Sequence, residues 1–355
     1  METAPRCAVK PCSISERVIP VALLGKHARA ALTAGTAWRV LAAFRRSMYC
    51  RSAEGAVVCV GHLSLGGGPL NILAPVPSGW SWPDLGVTQE TRLEASPAAF
   101  RFDGRLTFHF AEARLWQPRA PAVDWDHVAF SDGLRALTAE YHRRRPLGGL
   151  APTIPWILGG GPIGGAASGP DRSLWKAAAP GIAALSAWSG SAVGGRRVLA
   201  DPPRTVEGLI GLGPGLTPSG DDLLAGALIA LRALGWPQAA DRLGRWLLRR
   251  ARARTHAISY AHLVCAAEGE GATALHDTLA ALSSPGTPGL GGCLDALSTV
   301  GHSSGWDATA GLAVVARAAA TSPSPGRPDH VVPPVRSGQR CTRGSDCGER
   351  HAEEN

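Results

Sequence analysis

The chain has 355 residues, of which 45% are hydrophobic and 18% charged, and this composition excludes a disordered or fibrous protein. The formal net charge is +8, but the basic residues are scattered and only three Tyr and six Phe are present, which disfavours a nucleic-acid surface. No apolar run is long enough to cross a bilayer and no signal peptide is visible, so we expect a cytoplasmic protein without membrane contact.

The N-terminal part is predicted to be rich in β-strands. Short apolar or alternating runs at 56–60, 70–73 and 106–110 lie next to Gly-containing turns, a pattern typical of strands. Gly66 to Gly68 with Pro69 is predicted to be one such turn. A helix is predicted over 126–144, where apolar residues recur near helical spacing.

The C-terminal part is predicted to be helical. Short Gly-, Pro- and Ser-containing breaks separate the predicted helices, which are 174–186, 222–234, 239–252, 257–268, 272–283, 294–300 and 307–319. The chain is therefore predicted to be an α+β protein, β-rich first and mainly helical afterwards, around a buried central helix. The expected organisation is a flexible N-terminus 1–16, a β-rich domain 17–145, a Gly/Pro-rich linker or loop 146–170, a helical domain 171–320 and a disordered tail 321–355.

The densest chemical signal is residues 211–222, Gly-Leu-Gly-Pro-Gly-Leu-Thr-Pro-Ser-Gly-Asp-Asp, followed by an apolar run to Leu231. A run that is apolar on every side predicts a buried helix, whose first N–H groups need partners. Ser219 is predicted to cap this helix, and Thr217 followed by Pro218 is an equally good alternative. Apart from a structural cap, a glycine-rich loop that feeds a helix N-terminus can bind an anion.

The paired carboxylates of Asp221 and Asp222 add a second signal. One Asp suffices to complement the helix dipole, and a second Asp beside an anion would repel it. A Mg²⁺ ion held by both carboxylates could offset this repulsion, or the carboxylates could accept hydrogen bonds from an amide or ureido substrate. The segment is not a Walker A loop, because Asp221 follows Gly220 where that pattern requires Lys.

A second segment echoes the first, since residues 304–311 align without gaps on residues 219–226. Ser304 and Asp307 then take the places of Ser219 and Asp222, and two helix N-termini could converge on one anionic ligand. His302 would lie at the mouth of the second helix, where it is either a proton carrier or an exposed loop imidazole.

Two further clusters are candidates. Arg254 could bind a carboxylate or phosphate through its forked donors, and the following Thr255 is a predicted helix cap; alternatively, this cluster is an exposed cationic helix end. His62 with Gly66 to Gly68 and Asn71 could contribute to a site, although a lone His is more often structural.

Residues 211–226 resemble the signature of the AllH-like family, whose characterised branch is a subunit of oxamate carbamoyltransferase. Residues 255–259 and 301–307 resemble two further blocks of this family, and Gly68 to Asn71 resemble an N-terminal element. The resemblance covers about residues 17–319, whereas the Pro/Arg-rich tail is unlike the family.

The resemblance implies a cytoplasmic subunit that acts with two other carbamoyltransferase subunits in purine (allantoin) nitrogen use. The implied reaction converts oxalurate and phosphate into oxamate and carbamoyl phosphate. Whether this subunit is itself catalytic is left open; the alternative is a non-catalytic scaffold or an anion-binding subunit of another pathway. The sequence establishes no cofactor, and Mg²⁺ is the candidate.

The residues combine into one hypothesis. Asp221, Asp222 and His302 are the candidate catalytic groups, and the first two are also the candidate Mg²⁺ ligands. The candidate binding residues for a small anionic substrate are Gly213, Gly215, Thr217, Ser219, Gly220, Arg254, Ser259, Ser304 and Asp307.

Overall fold

A computed structural model describes residues 17–32, 37–77, 79–103, 106–118, 125–160, 171–195 and 200–322. The predicted flexible N-terminus, nearly all of the predicted tail and residues 161–170 of the predicted linker lie outside these ranges. The described part of that linker, 146–160, is built into the helical core, where Leu150 and Ile154 are fully buried.

The N-terminal part carries the strands of the structure. They are β1 (Arg17–Pro20), β2 (Leu23–Leu24), β3 (Ala37–Ala43), β4 (Ser47–Ser52), β5 (Val57–His62), β6 (Asn71–Ala74), β7 (Leu93–Ala95), β8 (Ala99–Phe102), β9 (Leu106–His109) and β10 (Arg114–Leu115). Within the described ranges these strands form one mixed sheet in the order β1-β9-β8-β7-β3-β4-β5-β6-β2-β10. Aromatic side chains fill its core, with Trp82 and Phe100 both packing on Phe102.

The C-terminal part carries most of the helices, as predicted. The helices are α1 (Lys26–Ala31), α2 (His127–Arg144), α3 (Ile154–Ile157), α4 (Arg172–Val193), α5 (Ser219–Ala233), α6 (Pro237–Ala251), α7 (Ala257–Ala267), α8 (Thr273–Leu282), α9 (Leu290–Leu297) and α10 (Ser304–Ala320). Short 3₁₀ turns span Leu63–Leu65, Ala151–Thr153 and Arg204–Leu209. In the described part of the chain, no helix is both long enough and apolar enough to traverse a lipid bilayer.

The glycine segment Gly66 to Gly68 is not a hairpin turn. β5 and β6 are parallel neighbours, with Cys59 opposite Asn71, so the segment between them crosses over instead of turning back. A Cβ atom on Gly67 would lie 2.2 Å from the Trp116 ring, and the Gly67 carbonyl accepts a hydrogen bond from the Thr273 amide at 2.8 Å. The crossover therefore connects the sheet to the start of α8. The close approach of Trp116 explains why residue 67 is a glycine.

The buried central helix is α5, and its closest neighbour is α10. A Cβ atom on Gly226 would lie 1.9 Å from the carbonyl oxygen of Ala308, and one on Gly311 would lie 1.8 Å from that of Leu223. These contacts are reciprocal, because Gly226 and Leu223 of α5 correspond to Gly311 and Ala308 of α10 in the sequence echo. Small residues thus let the two backbones touch, and this crossing fixes where both helices begin.

We predict that Gly226→Ala lowers the free energy of unfolding by at least about 2 kcal/mol, because the new methyl group must displace backbone atoms of α10. Urea denaturation followed by circular dichroism measures this change. Gly190→Ala is the matched control, since a Cβ atom there meets open space within α4. It should raise the stability by up to about 1 kcal/mol through helix propensity; equal effects of the two variants would contradict the close crossing.

Candidate functional site

The N-terminus of α5 is formed by backbone groups and not by the predicted side-chain cap. Pro218 is the residue before the helix, and neither Ser219 nor Thr217 caps it. The Pro218 carbonyl accepts hydrogen bonds from the amides of Asp221 and Asp222 at 2.9 and 3.1 Å, and the Gly220 amide donates to Leu212 at 2.9 Å. The cap prediction was wrong because the helix begins at Ser219 itself, which places Pro218, a residue without a side-chain acceptor, at the cap position.

The loop before α5 leaves other amides available. Gly213 and Gly215 have φ values of 115° and 90°, a region that favours glycine. Within the described residues, no acceptor meets the amides of Gly213, Gly215 or Thr217. Gly215 is exposed, whereas Gly213 and Thr217 are half-buried. These three N–H groups can therefore donate to a ligand that reaches the loop, while substrate binding by this loop stays a prediction.

Asp221 is almost fully buried, at 1% exposure, and its carboxylate accepts three hydrogen bonds from the protein. One oxygen accepts from the Gly211 amide at 2.8 Å. The other accepts from the hydroxyls of Ser259, at 2.7 Å, and Thr255. Asp221 therefore ties the glycine loop to the start of α7. This arrangement makes Asp221 a positioning residue, and its direct contact with a substrate stays a prediction.

Asp222 has a different environment. It is half-buried, and its Oδ2 atom is buried without a hydrogen-bond partner. Burial raises the pKa of this carboxyl well above its usual range, and the nearby charge of Asp307 raises it further, against the lowering effect of the Ser304 and Thr217 hydroxyls. Asp222 therefore keeps its proton at pH values where an ordinary aspartate is ionised.

The start of α10 lies beside the start of α5. The Ser304 and Thr217 hydroxyls are 3.0 Å apart and hydrogen-bonded to each other. Asp307 is completely buried and accepts hydrogen bonds from the Leu150 amide at 2.5 Å and the Ser303 hydroxyl at 2.8 Å. Burial raises the pKa of Asp307 to about 6, although these donors partly counter the effect. Asp307 is thus sealed inside the protein, in contrast to Asp222.

The two helix starts are related by reciprocal contacts. The Asp222 carboxyl interacts with Ser304 of the other helix, and the Asp307 carboxyl interacts with Ser219. Each acid occupies the position of the other in the sequence echo, as does each serine. The predicted convergence of the two N-termini is therefore present in the structure, while a shared anionic ligand stays a prediction.

The sequence analysis missed two groups near this cluster, one on the sheet and one on α7. The Tyr49 hydroxyl on β4 lies 3.2 Å from Nε2 of His262 on α7. Burial raises the pKa of Tyr49, and the charges of Cys59 and Asp222 add to this effect, while burial lowers the pKa of His262 to about 4. Both side chains are thus uncharged near neutral pH. Nothing local in the sequence pairs them, because 213 residues separate them along the chain.

The other predicted site residues of the helical part, His302 and Arg254, lie at the protein surface. His302 is exposed and lines a surface pocket together with Arg144, Leu147 and Trp306. Arg254 pairs with Glu207 at 3.2 Å and stays 44% exposed. Thr255 does not cap α7, because no side chain does.

The N-terminal candidate His62 has a structural contact. Its Nδ1 atom accepts a hydrogen bond from the Ser64 amide at 2.9 Å, which begins the 3₁₀ turn Leu63–Leu65. Asn71 donates to the Gly66 carbonyl at 3.0 Å and thereby closes the crossover loop. These contacts agree with the structural interpretation of both residues.

The raised pKa values of the two acids predict a pH-dependent stability. The folded protein keeps protons on Asp307 and Asp222 that the unfolded chain has lost, so the free energy of unfolding falls as the pH rises above about 4. Asp307 contributes about 3 kcal/mol to this loss of stability, and its part of the loss develops between pH 3.8, its ordinary pKa, and about pH 6, its pKa in the folded protein.

We expect Asp307→Asn to flatten this fall, because asparagine can still accept from the Leu150 amide but carries no proton to lose. Urea unfolding between about pH 4 and about pH 8 measures the slope. A residual slope from Asp222 should persist at the higher pH values. An unchanged slope in the variant would show that Asp307 titrates normally.

Comparison with known proteins identifies the helical segment around this cluster. Residues 209–316 match the family model described as oxamate carbamoyltransferase subunit AllH. No curated protein and no solved structure matches the chain. The matched segment includes Asp221, Asp222 and Asp307, but it begins far beyond the sheet residue Tyr49 and does not include it. Over residues 209–316 the chain is thus similar to the AllH family of oxamate carbamoyltransferase subunits, and the predicted resemblance is confirmed there.

Proposed function

We propose that the chain is a subunit of a carbamoyltransferase and that Asp222 contacts the carbamoyl group. The observation that carries this proposal is the buried Oδ2 atom of Asp222, which has no hydrogen-bond partner and lies between the starts of α5 and α10, in a carboxyl whose pKa is raised well above its usual range by burial. The proposed reaction converts oxalurate and phosphate into oxamate and carbamoyl phosphate. Its setting would be purine (allantoin) nitrogen use in the cytoplasm, within a complex that contains two further subunits.

A protonated carboxyl matches the carbamoyl group chemically. It offers one O–H donor and one carbonyl acceptor, whereas an ionised carboxylate only accepts. The carbamoyl group H₂N–C(=O)– offers the complementary pair, an N–H donor and a carbonyl acceptor. The transferred carbamoyl group is present in oxalurate before the reaction and in carbamoyl phosphate after it. One neutral aspartate could therefore bind this group in both the substrate and the product.

The same proton removes the repulsion that two aspartates would exert on an anion. Asp221 is shielded by three donors, and Asp222 is neutral while it keeps its proton. The unpaired amides of Gly213, Gly215 and Thr217 can then hold a phosphate or carboxylate group at the positive end of the α5 dipole. Carbamoyl transfer requires mainly such positioning and stabilisation of developing charge.

A magnesium ion held by both aspartates fits this arrangement poorly. Mg²⁺ prefers ionised carboxylates with free lone pairs. The Asp221 oxygens already accept hydrogen bonds from Gly211, Thr255 and Ser259, so they have few lone pairs left for a metal ion. The proposal therefore assigns no metal to these two residues.

Arg254 and His302 have supporting roles in the proposal. Both lie at the protein surface, so either could meet a substrate only at its outer end. Arg254 would need to leave Glu207 to pair a substrate carboxylate. His302 would exchange protons with solvent. Asp222 is the residue to test first, because its buried oxygen lacks any partner.

We expect Asp222→Ala to lower kcat/KM for phosphate-dependent oxalurate cleavage by about 100-fold in the reconstituted complex, the usual loss for one positioned donor. Asp222→Asn should retain more activity than the alanine variant, because an amide also offers a donor and an acceptor. Release of oxamate and carbamoyl phosphate is the readout.

Asp132→Asn serves as the control, since Asp132 is an exposed residue on α2 that pairs with Arg135. It should leave turnover unchanged. Unchanged turnover in Asp222→Ala, with the complex intact, would reject the proposed role and favour a non-catalytic scaffold. An asparagine variant weaker than the alanine variant would contradict the neutral carboxyl.

A further inference from the structure

A second cluster of titratable groups joins the sheet to the helical part. Its members are Lys26 and His27 at the start of α1, and Glu268 and Glu270 in the turn after α7. The Lys26 ammonium is 2.9 Å from Oε1 of Glu270 and 3.5 Å from Oε2 of Glu268. Nε2 of His27 is 3.3 Å from Oε2 of Glu268 and 3.6 Å from Oε2 of Glu270.

Two atoms of this cluster are buried without a hydrogen-bond partner. They are Nε2 of His27 and Oε2 of Glu270. The Glu270 side chain is 9% exposed, and its other oxygen, Oε1, accepts from Lys26. A buried polar atom without a partner costs about 1–3 kcal/mol, and more when it is charged. These two atoms lie 3.6 Å apart, so a cation bound by both would satisfy each of them.

The distances fit a metal ion. A tetrahedral zinc site with bonds of about 2.0–2.1 Å places neighbouring ligand atoms about 3.4 Å apart. The His27 nitrogen is 3.3 and 3.6 Å from the two glutamate oxygens, and all three ligand atoms lie within 4.8 Å of one another. We propose that His27, Glu268 and Glu270 bind one divalent transition-metal ion of the zinc class.

The local charge supports this proposal. Two glutamates and one lysine leave a net charge of −1 when His27 is neutral, so a divalent cation is attracted. Lys26 binds Oε1 of Glu270 and thereby leaves Oε2 for the metal. Gly269, with φ of 86°, bends the backbone between the two glutamates. Imidazole and carboxylate groups are common zinc ligands.

The metal would cross-link distant parts of the chain. His27 belongs to the N-terminal part, whereas both glutamates lie within the segment that matches the AllH family. Because 241 and 243 residues separate His27 from the two glutamates, the ion would hold α1 against the helical part. The site is thus structural, and it is independent of the proposed carbamoyl transfer.

The test is a titration of the full-length, chelator-treated chain with Zn²⁺ alone, followed by calorimetry. We expect one equivalent to bind, and the melting temperature to rise with the logarithm of the free Zn²⁺ concentration once that concentration exceeds Kd. His27→Ala and Glu270→Gln should each weaken binding by at least about 100-fold. Lys26→Met should strengthen binding several-fold, because it removes a competing cation. Glu54→Gln, in an exposed turn, is the matched control and should bind like the unaltered chain.

Cobalt gives a readout that does not depend on stability. Co²⁺ bound in a tetrahedral site should give intense visible absorption bands that His27→Ala abolishes while circular dichroism shows the fold intact. Absence of Zn²⁺ and Co²⁺ binding would overturn the proposal and leave a plain ion-pair cluster. Binding that persists in both His27→Ala and Glu270→Gln, or that weakens in Lys26→Met, would also overturn it.

Discussion

The arrangement of the candidate site depends on one steric constraint, the contact between the backbones of α5 and α10. Gly226 and Gly311 leave no space for a side chain at the crossing. Because both helices are packed along their length in the same core, this contact fixes the relative position of their first residues. The Thr217–Ser304 hydrogen bond and the proximity of Asp222 to Asp307 follow from it. A helix pair held apart by larger side chains could not bring the two acids close enough for the charge of Asp307 to raise the pKa of Asp222.

Residues in the same short motif have different roles because their surroundings differ. Asp221 and Asp222 are neighbours, yet a helical turn points them in different directions. Asp221 meets three donors and organises the loop, whereas the burial of Asp222 and the charge of Asp307 raise the pKa of Asp222 well above its usual range. The protonation states of two neighbouring aspartates therefore cannot be predicted from the sequence alone. In this protein, burial and a neighbouring acid decide which carboxyl can donate a hydrogen bond.

The sequence predicts the helical part better than the sheet. Helices from α4 to α10 have local signals in apolar spacing and in Gly or Pro breaks, and the structure contains each predicted one. Strands such as β3 and β7 are defined by long-range pairing, and the crossover between β5 and β6 looks locally like a turn. Likewise, residues 211–222 and their echo were recognisable as motifs. The Tyr49–His262 contact was not, since only tertiary packing brings it about.

The two helix starts that echo each other in sequence place their equivalent acids, Asp222 and Asp307, in different environments. Two equivalent carboxyls occupy matching places, but the loop before α5 is longer than the one before α10, and only Asp307 is enclosed by Leu150 and Ser303. Asp307 therefore has a structural role, which the equivalent Asp222 does not share. In a repeated element, one half can thus stabilise the fold while the other half stays open to a ligand: the buried Asp307 supports the packing, and its charge raises the pKa of the accessible Asp222.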